Sequence, residues 1–140
     1  METSLVTCVV CPKGCSIKVS WELGDDGSRK VVEVVGNSCP RGFGYASSEV
    51  VHPKRVLTTT VRLVRDLQSG SANGLGSEYE LLPVRSAQSL PKESMMDAME
   101  EVSRKTVALL PGESIRMGDV VVPDVAGTGI DMVACRDSRI

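Results

Sequence analysis

The sequence predicts a small α+β protein, a β-rich single domain with an N-terminal β-hairpin module and one main helix near residues 92–106. Three observations predict it. First, Ile17, Val19, Trp21 and Leu23 alternate with Lys18, Ser20 and Glu22, the period of a half-buried strand. Gly24-Asp25-Asp26-Gly27 then turns the chain into a returning run carrying Val31, Val32, Val34 and Val35. Second, residues 55–67 form a long run of β-branched character centred on Leu57-Thr58-Thr59-Thr60-Val61. Third, Met95, Met99, Val102 and Thr106 recur at helical spacing after Pro91, with Glu93, Asp97, Glu100 and Glu101 leading and Arg104 and Lys105 trailing, the charge order that a helix dipole favours.

A chain of 140 residues suffices for one compact domain. Aromatic residues are only 3% of it (Trp21, Phe43, Tyr45, Tyr79), so the core must rest on Val, Leu, Ile and Met. A net charge of −2 carries no basic stripe of the kind that binds phosphate backbones, which sets nucleic acid aside as a partner. Met1-Glu2-Thr3-Ser4 lacks the basic start of a signal peptide, and the apolar runs are too short to cross a bilayer. A cytoplasmic chain without membrane insertion is expected. There, clustered cysteines hold metal or do redox chemistry rather than form structural disulfides.

In chain order, residues 5–10 read as a strand that delivers Cys8 and Cys11 at its end. Pro12 and Gly14 force a turn. The hairpin follows, Gly36-Asn37 breaks its second strand, and an antiparallel return should bring Cys39 close to Cys15. Residues 43–53 read as a connector with at most a helical turn around residues 46–51. Residues 69–77, with Gly70, Gly74 and Gly76, read as a flexible loop, and residues 80–85 as a shorter strand paired across it with the preceding one. The methionine stripe of the helix is expected in the core. Val120 to Val122 and residues 130–135 are short strand candidates, the latter introduced by a tight turn at Gly127-Thr128-Gly129. Residues 1–60 form the expected cysteine-rich module, with residues 61–140 packed on it as one compact unit.

The chemistry concentrates in Cys8-Val-Val-Cys11-Pro12-Lys-Gly14-Cys15 and Cys39-Pro40-Arg41-Gly42. Thiolates from Cys8, Cys11, Cys15 and Cys39 could converge on one metal centre. Structural zinc commonly uses two Cys-x-x-Cys knuckles. Three close ligands with a remote fourth suit the separate corners of an iron–sulfur cubane better, and zinc remains the alternative. A metal-free thiol pair, Cys8 and Cys11, is the weakest of the three readings, because no βαβ context surrounds it. Lys13 and Arg41 flank the ligands and could offset thiolate charge or dock an acidic partner. Cys135 reads as a buried structural thiol and His52 as a solvated loop residue. The chain shows no P-loop and no nucleophile elbow, and with a single histidine no Ser-His-Asp triad is expected.

The cysteine motif, the Ile17-Lys-Val19 strand, Val34-Val35-Gly36-Asn37-Ser-Cys39-Pro-Arg41-Gly42 and Pro53-Lys54-Arg55-Val56-Leu57 resemble the N-terminal [4Fe-4S] segment of molybdopterin oxidoreductases. The resemblance implies Cys8, Cys11, Cys15 and Cys39 as cluster ligands. It covers about the first 60 residues. Many of those enzymes carry Lys where Arg41 stands, and their large pterin-binding domains have no counterpart in this sequence. Over its whole length the chain resembles a family of small uncharacterised bacterial proteins with the same cysteine pattern, Leu57-Thr-Thr-Thr-Val61, Leu82-Pro-Val84, Leu90-Pro91-Lys92, Gly118-Asp119-Val120 and Gly127-Thr128-Gly129. That family occurs beside flavin-dependent dehydrogenases similar to glycerol-3-phosphate dehydrogenase and beside pyridine-nucleotide-linked flavoproteins. The resemblance implies a non-catalytic electron-transfer subunit with a [4Fe-4S] cluster and a flavin-dependent dehydrogenase or other redox protein as partner. The alternative is a structural zinc-binding interaction module.

Overall fold

The computed structural model describes residues 1–65 and 79–138. Its mixture of strands and helices is the expected α+β class. The chain divides into two compact units, Met1–Lys54 and Arg55–Ile140. The division falls earlier than the expected 60/61 boundary, because the strand starting at Thr58 pairs along its length with partners in the second unit.

The first unit is a three-stranded antiparallel sheet in the order β1 (Glu2–Thr7), β2 (Ser16–Leu23), β3 (Arg29–Val35), with helix α1 (Pro40–Val51) packed against it. The first strand ends at Thr7, short of the expected run through residue 10, so Val9 and Val10 are exposed in the loop that follows. Strands β2 and β3 pair from Lys18↔Val35 to Leu23↔Arg29. The register shifts between Ser20 and Trp21, where Ser20 faces Glu33 and Trp21 faces Val31. One extra residue on β3 lets Val31 and Val34, three apart, both oppose buried residues while Val32 is left exposed.

The expected connector at residues 43–53 is in fact most of a twelve-residue helix. Its glycines and serines argue against a helix by propensity. Tertiary packing overrides this: Gly42, Ala46 and Val50, at four-residue spacing, form a buried stripe whose small side chains let the helix lie close to the sheet. Pro40 at the first position already has a helical φ and lacks only an amide that would be unpaired there. Ile17, Val19, Trp21, Ala46, Val50 and Cys8 form the buried cluster. The Arg29 guanidinium lies 4.5 Å from the Trp21 ring centroid and donates to the Val50 carbonyl at 3.1 Å, so one side chain ties hairpin to helix.

The two-residue strand β4 (Lys54–Arg55) marks the passage to the second unit. That unit is built on a five-stranded sheet of β5 (Thr58–Arg65), β6 (Tyr79–Ser86), β8 (Thr106–Leu109), β9 (Val120–Val122) and β10 (Met132–Ala134), ordered β8-β5-β6-β10-β9. Strands β5 and β6 pair antiparallel as expected, from Thr58↔Arg85 to Val64↔Tyr79, whereas the loop expected at residues 69–77 lies outside the described residues. Between β6 and β8 come the short strand β7 (Leu90–Pro91) and helix α2 (Met95–Arg104).

Residue Thr106, expected to close the helix, begins β8, which pairs in parallel with β5. Its β-branched neighbour Val107 and the extended Lys105 suit a strand better than a further helical turn. The methionine stripe also divides. Ala98 and Val102 are buried and Met95 packs on the core, while Met96 and Met99 are 74% and 44% exposed.

Val61, Leu63, Leu82, Val84, Val122 and Met132 supply the sheet side of the core, joined by Leu57 just before β5. Ser86, fully buried, accepts the Leu57 N–H on its hydroxyl at 3.0 Å and donates its own N–H to the Leu57 carbonyl at 2.8 Å. The turn at Gly127 is tighter than its glycines alone suggest, since Asp124 and Ala126 also adopt positive φ (44° and 51°). The Glu101 carboxylate of α2 accepts the Ala126 N–H at 2.7 Å and holds it there.

Candidate metal centre

The four N-terminal cysteines occupy two stretches of the first unit. Cys8, Cys11 and Cys15 lie in the loop joining β1 to β2, and Cys39 is the N-cap of α1. Because β1 and β2 pair down to Thr7↔Ser16, the loop leaves and re-enters the sheet at one point, where the Cys8 N–H donates to the Cys15 carbonyl at 2.8 Å. Within it Gly14 takes a φ of +64°, the left-handed turn anticipated beside Pro12. Cys8 is buried, and Cys11 and Cys15 are half-buried.

Cys39 is brought to the same end of the hairpin by Gly36. There φ is +99°, and a Cβ would stand 2.5 Å from the Ser16 carbonyl oxygen, so only glycine lets β3 leave so close to the start of β2. The Asn37 side-chain amide then donates to the Cys39 carbonyl at 3.3 Å. In helix α1, a Cβ on Gly42 would lie 3.7 Å from Cys8 Sγ and 3.3 Å from Ile17 Cδ1. Gly42 is thus the point where the helix meets the Cys8 sulfur, one turn from Cys39.

Two of the thiols sit in fields that favour the thiolate. The Gly42 amide, and after it the Arg41 amide and guanidinium, hold the Cys39 thiol below its ordinary value against the opposing effect of burial. For Cys15 the leading cause is the Ser38 hydroxyl, 3.3 Å from Sγ, followed by the Ser38 amide. The positive charge of Lys13 adds to this lowering, and the charge of Cys39 opposes it, as expected of two thiols at one end of the hairpin.

Among the described residues, no three His, Cys, Asp or Glu side chains are grouped closely enough to hold a metal ion. The donor chemistry nonetheless fits a thiolate-held centre: sulfur from two adjoining stretches, main-chain amides at a helix start, and flanking cations. Sequence reasoning named the sulfurs and carried Ser38 and Gly42 inside the motif around Cys39, but gave neither a role. Their signals were present as the residue before Cys39 and the glycine three after it. Cys135 is in the second unit and half-buried, not the buried thiol expected; its N–H donates to the Pro83 carbonyl at 2.9 Å. His52 is the exposed C-cap of α1, its N–H bonded to the Ser48 carbonyl at 2.8 Å.

The family model described as "Protein of unknown function (DUF1667)" matches residues 40–136. The chain belongs to the DUF1667 family. In this DUF1667 chain the match takes in α1 and the strands of the second unit through β10, and begins one residue after Cys39. The sulfurs of the DUF1667 chain's candidate centre therefore all precede the matched span. Neither the curated proteins nor the solved structures yield a match to the chain. None of the helices among the described residues is long and apolar enough to cross a membrane.

Proposed function

We propose that this chain is an accessory iron–sulfur electron-transfer protein of the cytoplasm, holding a [4Fe-4S] cluster on Cys8, Cys11, Cys15 and Cys39. It would pass electrons to or from a flavin-dependent dehydrogenase, of the kind similar to glycerol-3-phosphate dehydrogenase. The observation that carries the reading is the placement of Cys8, Cys15 and Cys39 at one end of the hairpin, where the β1–β2 loop closes and α1 begins. The Cys8 sulfur lies against Gly42, whose amide favours the thiolate of Cys39, which in turn acts on Cys15. Thiolates with amide donors and nearby cations suit a cluster whose potential depends on charge, exposure and hydrogen bonds to sulfur. Such a cluster, when bound, supplies one-electron storage. The chain's own residues provide the thiolates, the donors to them and, through exposed Lys13 and Arg41, a cationic rim for an acidic partner surface.

The test is metal and acid-labile sulfide content, with a visible spectrum, on the full chain purified without oxygen. About four irons and four sulfides per chain, with a broad brown absorption that bleaches on reduction, are expected. One zinc and no sulfide would replace this reading with a structural zinc module. On the loaded protein, Cys39→Ser should lower Tm by more than Cys135→Ser does, since only the former removes a ligand. Equal shifts in a thermal melt would count against the ligand assignment.

A further inference from the structure

In the second unit, α2 covers one face of the five-stranded sheet. Its Ala98 and Val102 pack into the core with Val61 and Leu63 of β5 and Leu82 of β6. The alternate residues of these strands point to the other face. There Thr58, Thr60, Arg62, Tyr79, Leu81 and Arg85 are all exposed. A sheet face left to water is normally polar, yet Tyr79 and Leu81 are 55% and 50% exposed on this one. The Arg62 guanidinium lies over the Tyr79 ring, 5.6 Å from its centroid, which holds the charge down on the sheet. The register sets Arg62 opposite Leu81 and Arg85 opposite Thr58. The two cations are therefore about 13 Å apart along the strands, with apolar and hydroxyl side chains between them. Among the described residues, no carboxylate takes an outward position on β5, β6 or β8.

We propose that this face is the docking surface for an acidic partner protein, which lays an amphipathic helix across β5 and β6 with its apolar stripe on Tyr79 and Leu81 and its carboxylates on Arg62 and Arg85. The proposal stands on the second unit alone and does not depend on the metal-centre reading. Charge selects the occupant. A second copy stacked face to face would bring four arginines into an interface with no carboxylate to answer them, and like charges brought together there oppose binding. Nucleic acid needs a basic stripe, which two arginines in a chain of net charge −2 do not make. A partner rich in carboxylates meets both requirements, because each planar guanidinium can take a carboxylate through two parallel hydrogen bonds. Arg62, already stacked on Tyr79, gives up little freedom on pairing. A helix is the element that fits, since a broad sheet face offers side chains to an apolar stripe rather than unpaired main-chain groups to a strand.

The experiment titrates the isotope-labelled full chain with a synthetic amphipathic helical peptide, a leucine stripe flanked by glutamates, and with the same peptide carrying lysine for every glutamate. The acidic peptide should shift the amide resonances of β5 and β6 and leave those of β1–β3 in place, with an affinity that falls as salt is added. Arg62→Gln combined with Arg85→Gln should weaken binding about tenfold or more. Arg104→Gln, which removes an exposed cation of α2, should leave it unchanged. Leu81→Ser reads the same face without touching a cation and should also weaken binding, so the test stands even if the arginine variant loses its fold. Equal binding of the lysine peptide, shifts confined to other elements, or no shifts at all would overturn the proposal. Shifts on β5 and β6 that grow as the chain alone is concentrated, with a rise in sedimentation coefficient, would overturn it in favour of a second copy. The same shifts produced by an oligouridylate would overturn it in favour of nucleic acid.

Discussion

The two units solve the problem of stability differently. In Arg55–Ile140, five strands and α2 surround a core of aliphatic side chains, with Leu63, Leu82, Leu90 and Met132 among its fully buried members. In Met1–Lys54, three strands and one helix enclose a much smaller cluster, and one of its buried members is the thiol of Cys8. A unit of that size has little apolar surface to bury, and small domains of this kind commonly depend on a metal or another covalent constraint. The unit with the cysteines is thus the one with most to gain from a ligand.

Paired truncations test that contrast most strongly. Ile17→Ala and Leu82→Ala each remove a fully buried side chain and should each cost about 2–5 kcal/mol. In the first unit that loss should abolish protection, so hydrogen exchange in Ile17→Ala should become fast across β1–β3 while β5 and β6 stay protected. In Leu82→Ala, protection should instead weaken together across β5, β6 and α2 while β1–β3 keep theirs. Uniform loss of protection in both variants would show the two units unfolding as one.

A narrower probe is Gly36→Ala, which places a Cβ against the Ser16 carbonyl at a φ of +99° and should cost about 1–3 kcal/mol. Urea unfolding should show the loss in the first unit, with metal uptake weakened because β3 no longer delivers Cys39 beside Cys15. Ser86→Ala is its counterpart in the second unit. It strands the buried Leu57 N–H and should cost about 1–3 kcal/mol by the same measurement, without effect on metal uptake. A change in metal uptake in Ser86→Ala would break the separation drawn between the units.

The smallest effect belongs to the hairpin turn. The Ser28 hydroxyl and amide hold the exposed Asp26 carboxyl below its usual value. A group so depressed stabilises the fold above the ordinary carboxylate range, and that contribution is lost as pH falls through its folded-state value. Asp26→Asn should therefore lower neutral stability slightly, leave stability at low pH almost unchanged, and so flatten the acid limb of a stability–pH profile. A steeper acid limb in the variant would reverse the assignment.

Legibility followed the range of the interactions. The β2–β3 hairpin was plain in the sequence because its alternation and its Gly-Asp-Asp-Gly turn are local. So were the β5–β6 pair and α2, although α2 stops at Arg104 and hands Thr106 to a strand. Helix α1 was not legible. Gly42 and Gly44 are poor helix formers, and the stripe Gly42, Ala46, Val50 has meaning only once the sheet it packs on exists.

The sequence by itself determined the α+β class, the four candidate sulfurs and the hairpin that separates them, since each depends on residue type and on spacing over a few positions. Tertiary structure alone decided that Cys39 caps a helix, that Gly42 meets the Cys8 sulfur and that Ser38 reaches Cys15. It also turned Met96 and Met99 outward, by setting Ala98 and Val102 on the inner face. The physical reason is common to these cases: which face of an element is buried, and which atom a side chain meets, depend on partners distant in sequence whose placement is fixed only when the chain closes on itself.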